Sequence, residues 1–130
     1  MNDTTTLDTT SDSTRRYVFD HHRLFAYEVA LEALVLGEQL AKSVPRGNAS
    51  FVDQLRRALA GAFLQTTEAA ARTGADRLAR FRAARGEACE AAGALEAMQR
   101  LGLLGADGVE RELALLHRLC GMLTKLARIR

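Results

Sequence analysis

The chain has 130 residues, 48% of them apolar, with 18 basic and 16 acidic side chains and a formal net charge of +2. Ala (23) and Leu (20) dominate the apolar set while Val and Ile together number seven, which argues against a β or α/β fold because the strongest strand formers are scarce. One Pro, no Trp and 5% aromatics also weigh against a Pro-rich disordered chain, an aromatic-lined sugar site and a nucleotide-stacking sheet.

Charge is unevenly placed. Residues 1–20 hold four Asp and two Arg, so the rest of the chain is mildly basic. Sixteen of the 18 basic residues are Arg, which fits either a GC-rich genome or recognition of phosphate and carboxylate by a planar fork. The segment 1–14 is Thr, Ser, Asp and Asn with one Leu and no apolar period, and residues 1–18 are expected to form a disordered tail ahead of a folded domain over 19–130. The longest apolar run, Ala33 to Leu36, is far short of the roughly 20 residues of a membrane span, and no apolar leader follows Met1. Cys89 and Cys120 are too few for a secreted disulfide framework and read as reduced core or groove residues. A cytoplasmic protein without membrane contact is the expectation.

From Leu24 the pattern becomes helical. Leu24, Tyr27, Leu31 and Leu34 form one stripe and Phe25, Val29, Ala33, Leu36 and Leu40 a second, predicting a helix to about Lys42, ended ahead of Pro45. Ser50 with Asp53 reads as a capping-box variant opening a second helix, with Gly74 as its terminator. Its broad core face is Phe51, Val52, Leu55, Ala58, Leu59, Ala62, Phe63, Thr66, Ala69 and Ala70. The opposite row, Arg57, Gly61, Leu64 and Glu68, sets a small residue and an apolar one between opposite charges and is a candidate oligomer interface.

A third helix is expected from Ala75 or Asp76 to about Leu101, its main face Phe81, Ala84, Ala88, Ala91, Ala92 and Leu95. Asp107, with Glu110, is expected to cap a fourth, whose seams are Val109, Leu113, Leu116, Cys120, Leu123 and Leu115, Leu119, Met122, Leu126. Four helices of about 20 residues, each about 30 Å long and joined by short loops, predict an all-α, antiparallel up-down four-helix bundle. Double apolar stripes on the first and last helices exceed what one bundle needs, so self-association is expected, the alternative being helices wedged among several neighbours.

The chemistry-bearing residues are sparse. No Glu has a His three residues later, as a di-metal carboxylate bundle requires, and His21, His22 and His117 read as structural. No nucleophile elbow or phosphate loop occurs, and no metal, cofactor or catalytic residue is expected. Arg72, Arg77, Arg80, Arg82 and Arg85 are opposed nearby only by Asp76 and are the candidate nucleic-acid-binding set, RNA or DNA being attracted through phosphates without base reading. The bland alternative is a solvated helix face with ion pairs to neighbouring carboxylates. Glu68 and Glu90, with Arg56, Arg57 and Arg85, read as inter-helix or inter-subunit ion pairs rather than an acid-base pair.

In order along the chain, FDHHRL with Tyr27 and Ala30, PRG at 45–47, QLRRA at 54–58, RF at 80–81, ARG at 84–86 with Glu90, LGLL at 101–104 and RLCGMLTKL at 118–126 resemble the bacterial four helix bundle protein family. Members of that family are encoded by intervening sequences in large-subunit ribosomal RNA genes. The resemblance spans about Phe19 to Arg128. It implies a non-enzymatic protomer that assembles into a ring, typically a pentamer, similar in build to the accessory variability determinant of diversity-generating retroelements, which works beside a reverse transcriptase and its RNA. One departure follows QLRRA: the family reads close to SIPxNIAEG, whereas this chain reads Gly61 to Ala69 with only Glu68 kept, so a straighter second helix is expected. Two roles remain open from sequence: an oligomeric adaptor touching nucleic acid or a nucleic-acid-handling protein, and a purely structural oligomeric scaffold with a protein partner.

Overall fold

A computed structural model describes residues 17–129; the expected tail over 1–16, and Arg130, lie outside the described residues. A 3-10 turn, Asp20–Arg23, leads into four helices among the described residues: α1 Phe25–Ser43, α2 Ala49–Ala70, α3 Gly74–Arg100 and α4 Ala106–Leu126. Among the described residues there is no strand. Each helix packs on its sequence neighbour and α1 closes the ring on α4.

Loops of three to five residues cannot span the length of a helix of about 28 Å or more, so consecutive helices must reverse direction. Contacts across each seam bear this out. Tyr27 of α1 meets Phe63 while Glu38 bonds Arg56; Glu68 of α2 bonds Arg80 while Gly61 faces Glu87. Arg85 of α3 bonds Thr124 while Cys89 meets Cys120, and Gly37 of α1 lies against Glu112 while Leu40 lies against Gly108. Each pair of registers runs oppositely, giving the up-down bundle.

Three helix ends differ from the sequence expectation. Residue Asn48, not Ser50, is the α2 N-cap: its side-chain amide donates to the Pro45 carbonyl at 2.9 Å, closing the Pro45–Asn48 turn and letting the helix begin one residue ahead of Ser50. Gly74 does not terminate α2 but opens α3 with φ +60°, because the α2 carbonyls of Glu68 and Ala69 are already taken by the N–H groups of Ala71 and Arg72. Asp107 sits inside the first turn of α4, where its charge meets the positive end of the helix dipole, and Gly105 is the N-cap. The α3 terminus follows the rule: Gly102 (φ +77°) allows its own N–H to reach Gln99 O and that of Leu103 to reach Met98 O, a Schellman closure. Arg128 (φ 56°) makes the same closure at α4, with Ile129 bonded to Thr124 O.

The α2 and α3 core faces are those expected, with Leu55, Ala58, Leu59, Ala62, Thr66 and Ala69 buried on one, and Phe81, Ala84, Ala88, Ala91, Leu95 and Met98 on the other. On α1 the stripes are inverted in weight. Its buried line is Ala26, Val29, Ala30, Ala33, Gly37 and Ala41, while Tyr27, Leu31, Leu34, Leu36 and Leu40 stand half-buried at the flanks. Of the 24 buried apolar residues 11 are Ala, so the helices meet through small side chains around a few large anchors, chiefly Phe81, Leu55, Leu95 and Met98. On α4 Leu119 and Met122 belong to the core rather than to a surplus seam, and Glu112 is buried among them.

Candidate functional site

The five arginines of the candidate nucleic-acid set do not form one patch. Arg72 and Arg80 both reach Glu68 (3.0 and 3.1 Å) and Asp76 (3.7 and 3.3 Å), a four-membered ion network that joins the end of α2 to the start of α3. Arg80 also donates to Gln65 at 3.4 Å. Arg85 turns to the other flank of α3, where its Nε donates to Thr124 Oγ1 at 2.8 Å; that hydroxyl in turn donates to the Cys120 carbonyl. Arg82 is exposed. The remaining member, Arg77, lies with its guanidinium 5.3 Å from the Phe81 ring centroid and helps line a cleft of about 340 Å³. That cleft, between the start of α3 and the end of α4, brings Arg77 together with Lys125 and Arg128 over Leu78 and Leu126. None of its lining residues is acidic. The convergence was not legible locally, since 48 residues separate Arg77 from Lys125; only the antiparallel pairing of α3 and α4 unites them.

The candidate interface row on α2 is divided too. Leu64 is 59% exposed and Arg57 is exposed, as a docking row needs. Gly61, however, serves the protomer itself: a Cβ there would stand 2.7 Å from the Glu87 carboxyl carbon of α3. Glu68 is the hub of the ion network. The ion-pair reading of Arg56 also holds within the protomer, its Nε and Nη2 gripping both carboxylate oxygens of Glu38 at 2.9 and 2.8 Å. These hydrogen bonds hold the Glu38 carboxyl below its usual range.

A different face carries the unpaired apolar surface. Between α1 and α4, Leu31, Val35, Leu36 and Leu115 line an open groove of about 380 Å³, and Val35 is 53% exposed. Glu28 and Glu32 stand on its α1 side and Arg111 on its α4 side, with Arg118 continuing the basic rim beside Ala114. One edge is therefore acidic and the other basic.

Beneath this face lies Glu112, wholly buried, with neither carboxylate oxygen hydrogen-bonded among the described residues. Gly37 makes room for it: a Cβ there would lie 2.5 Å from Oε2 and collide with the Leu59 side chain. Burial pushes this carboxyl up to about 8, because the ionised form would lose its hydration with nothing to replace it. The residue falls three after Val109 and four before Leu116, so the periodicity of the seam was the signal that could have singled it out.

A second groove, about 540 Å³ between α3 and α4, is lined by Cys89, Ala92, Gly93, Leu116, His117 and Cys120 among others. The two sulfurs lie 3.8 Å apart, a proximity that their 31-residue separation concealed, and His117, three residues before Cys120 on α4, shares the groove with them. His21 and His22 stack with Phe19 and Tyr27 ahead of α1, where His22 Nδ1 accepts the Phe19 N–H at 3.0 Å, a structural role. Among the described residues no three His, Cys, Asp or Glu side chains are grouped to hold a metal ion, and no helix is long and apolar enough to cross a membrane. Among known proteins, no family model matches the chain and no curated protein matches it in sequence.

Proposed function

We propose that the chain is a non-enzymatic, self-assembling helical-bundle adaptor whose protomers join into a ring through the α1–α4 face. The observation that carries this reading is the groove of Leu31, Val35, Leu36 and Leu115, with carboxylates on one edge and guanidinium groups on the other. A second copy supplies the cover from water that an apolar strip needs and sets rim charges of its own against those of the first. Joined head to tail, the acidic α1 edge of one protomer meets the basic α4 edge of the next, and such contacts make a ring when the rotation between protomers closes. The order of motifs along the chain, similar to that of the four helix bundle protein family, supports a ring of about five.

Light scattering after size exclusion tests the assembly. The expected mass is a multiple of the 14.2 kDa protomer, near fivefold, and Val35→Glu combined with Leu31→Glu should reduce it to one protomer with helicity unchanged. A wild-type monomer at micromolar concentration refutes the reading.

The cleft of Arg77, Lys125 and Arg128 favours a further arm, contact with the phosphates of RNA or DNA. Repetition around a ring would multiply its field, and the exposed Arg82 adds to it. Binding to a mixed-sequence RNA should fall steeply with salt and be lost in the Arg77→Glu, Lys125→Glu, Arg128→Glu triple variant, whereas Arg72→Gln, already spent on carboxylates, should matter little. Absence of binding at low salt would leave either contact with a nucleic-acid-handling protein alone or the alternative, a purely structural oligomeric scaffold with a protein partner and no nucleic-acid role.

A further inference from the structure

We propose that Cys89 and Cys120 are a reversible dithiol–disulfide pair that clamps α3 to α4, oxidised by a small-molecule disulfide that reaches them through the adjoining groove. The two residues are 31 positions apart, yet their sulfurs face each other across the seam at 3.8 Å. A disulfide bond is about 2.05 Å long, so closure needs a shift of under about 2 Å, within the range of side-chain rotation on two helices held in register. That register is held next to the pair by the Arg85–Thr124 hydrogen bond.

Access sets the order of events. Cys89 is exposed and Cys120 only partly so, and the groove of about 540 Å³ opens directly beside both, its walls mostly apolar (Ala92, Gly93, Leu113 and Leu116) with Glu96 and His117 as the polar exceptions. Burial, together with the neighbouring Cys89, pushes the Cys120 thiol up to about 11, so this sulfur stays protonated while its partner starts the exchange. In the first step the Cys89 thiol loses its proton and attacks one sulfur of the oxidant RSSR, forming a mixed disulfide and releasing one thiolate. In the second step Cys120 gives up its proton and attacks the Cys89 sulfur, releasing the second thiolate. The guanidinium of Arg85 nearby favours the Cys120 thiolate in this step. In sum two S–H bonds break, one S–S bond forms, and RSSR takes up the two electrons and two protons as two RSH.

The experiment treats the reduced full-length protein with oxidised glutathione. Expected are loss of both free thiols, loss of two hydrogens from the intact mass, and a Cys89–Cys120 cross-linked peptide in a non-reducing digest. The melting temperature should rise by roughly 5–15 °C, as closure of a loop of this length restricts the unfolded chain, and dithiothreitol should reverse both changes. Cys120→Ser, checked for native helicity, should stop at a stable Cys89–glutathione mixed disulfide, and Cys89→Ser should react more slowly. Stable glutathione adducts on the wild type without closure, cross-links between chains, or an unchanged melting temperature after closure would overturn the proposal.

Discussion

The α2–α3 side of the bundle is built mainly from Ala (15 Ala, 5 Leu) and the α1–α4 side mainly from Leu (6 Ala, 10 Leu), and the two are finished differently. Between α2 and α3 the contact is the most extensive in the molecule, the approach at Gly61 brings the backbone onto Glu87, and four charged groups are zipped across the turn. Between α1 and α4 the large apolar side chains of α1 are only half-buried, a groove stays open, and a carboxyl with no hydrogen bond among the described residues is buried underneath. The first side looks complete within one protomer. On the second, an open apolar groove lies between an acidic and a basic rim, which is why the proposed assembly is placed there and not on the row of Arg57, Gly61, Leu64 and Glu68, of which Gly61 and Glu68 already engage α3.

The comparison can be broken most forcefully at Glu112. Its folded-state value of about 8 lies above the ordinary 4.5, so between those values the native protein binds a proton that the unfolded chain has released, and stability must fall as pH rises through that window. The decline is about 1.4 kcal/mol per pH unit, several kcal/mol in all. Urea titrations of the wild type from pH 5 to 8 should show it, and Glu112→Gln should be nearly flat. A wild-type profile as flat as that of the Gln variant would mean that the carboxyl is satisfied in solution and that the two sides are alike.

Next comes Gly37→Ala, whose added methyl meets Leu59 and the Glu112 carboxylate at the tightest point of α1. About 1–3 kcal/mol of destabilisation is expected from such overpacking. Combining it with Glu112→Ala should recover part of the loss, since the two share one space, and strict additivity in the double-mutant cycle would contradict that sharing. The smallest effect is expected at the zipped side. Glu68→Ala removes the carboxylate that holds both Arg72 and Arg80, yet Glu68 and Arg72 are nearly half exposed and Arg80 keeps a second carboxylate at Asp76, so the loss should be about 1 kcal/mol or less and should shrink in high salt. A loss of several kcal/mol, insensitive to salt, would show that this network carries the α2–α3 seam.

Helix number, order and approximate length were legible from apolar periodicity, loop residues and the single proline, because those signals are local. Caps were less so: Ser50, Gly74 and Asp107 all offered the right chemistry within two or three residues of the true caps, and backbone hydrogen bonding at Asn48, Ala71 and Gly105 selected others. The arginine set shows the limit most clearly. Five guanidinium groups within fourteen residues of sequence look like one patch, but helical rotation sends Arg80 towards α2, Arg85 towards α4 and Arg82 to water, and only Arg77 joins Lys125 and Arg128.

The sequence by itself determined an all-α bundle with two apolar stripes on each of its first and last helices, because 3.6-residue periodicity is written along each helix independently of the others. Only the tertiary structure decided which stripe went inside. On α1 the alanines and Gly37 took the core and the leucines were left at its flanks, since close helix approach around Phe81, Leu55 and Leu95 leaves no volume for a second row of large side chains. The same antiparallel packing joined residues far apart in the chain into the dithiol, the basic cleft and the buried carboxyl, none of which is a property of any one helix.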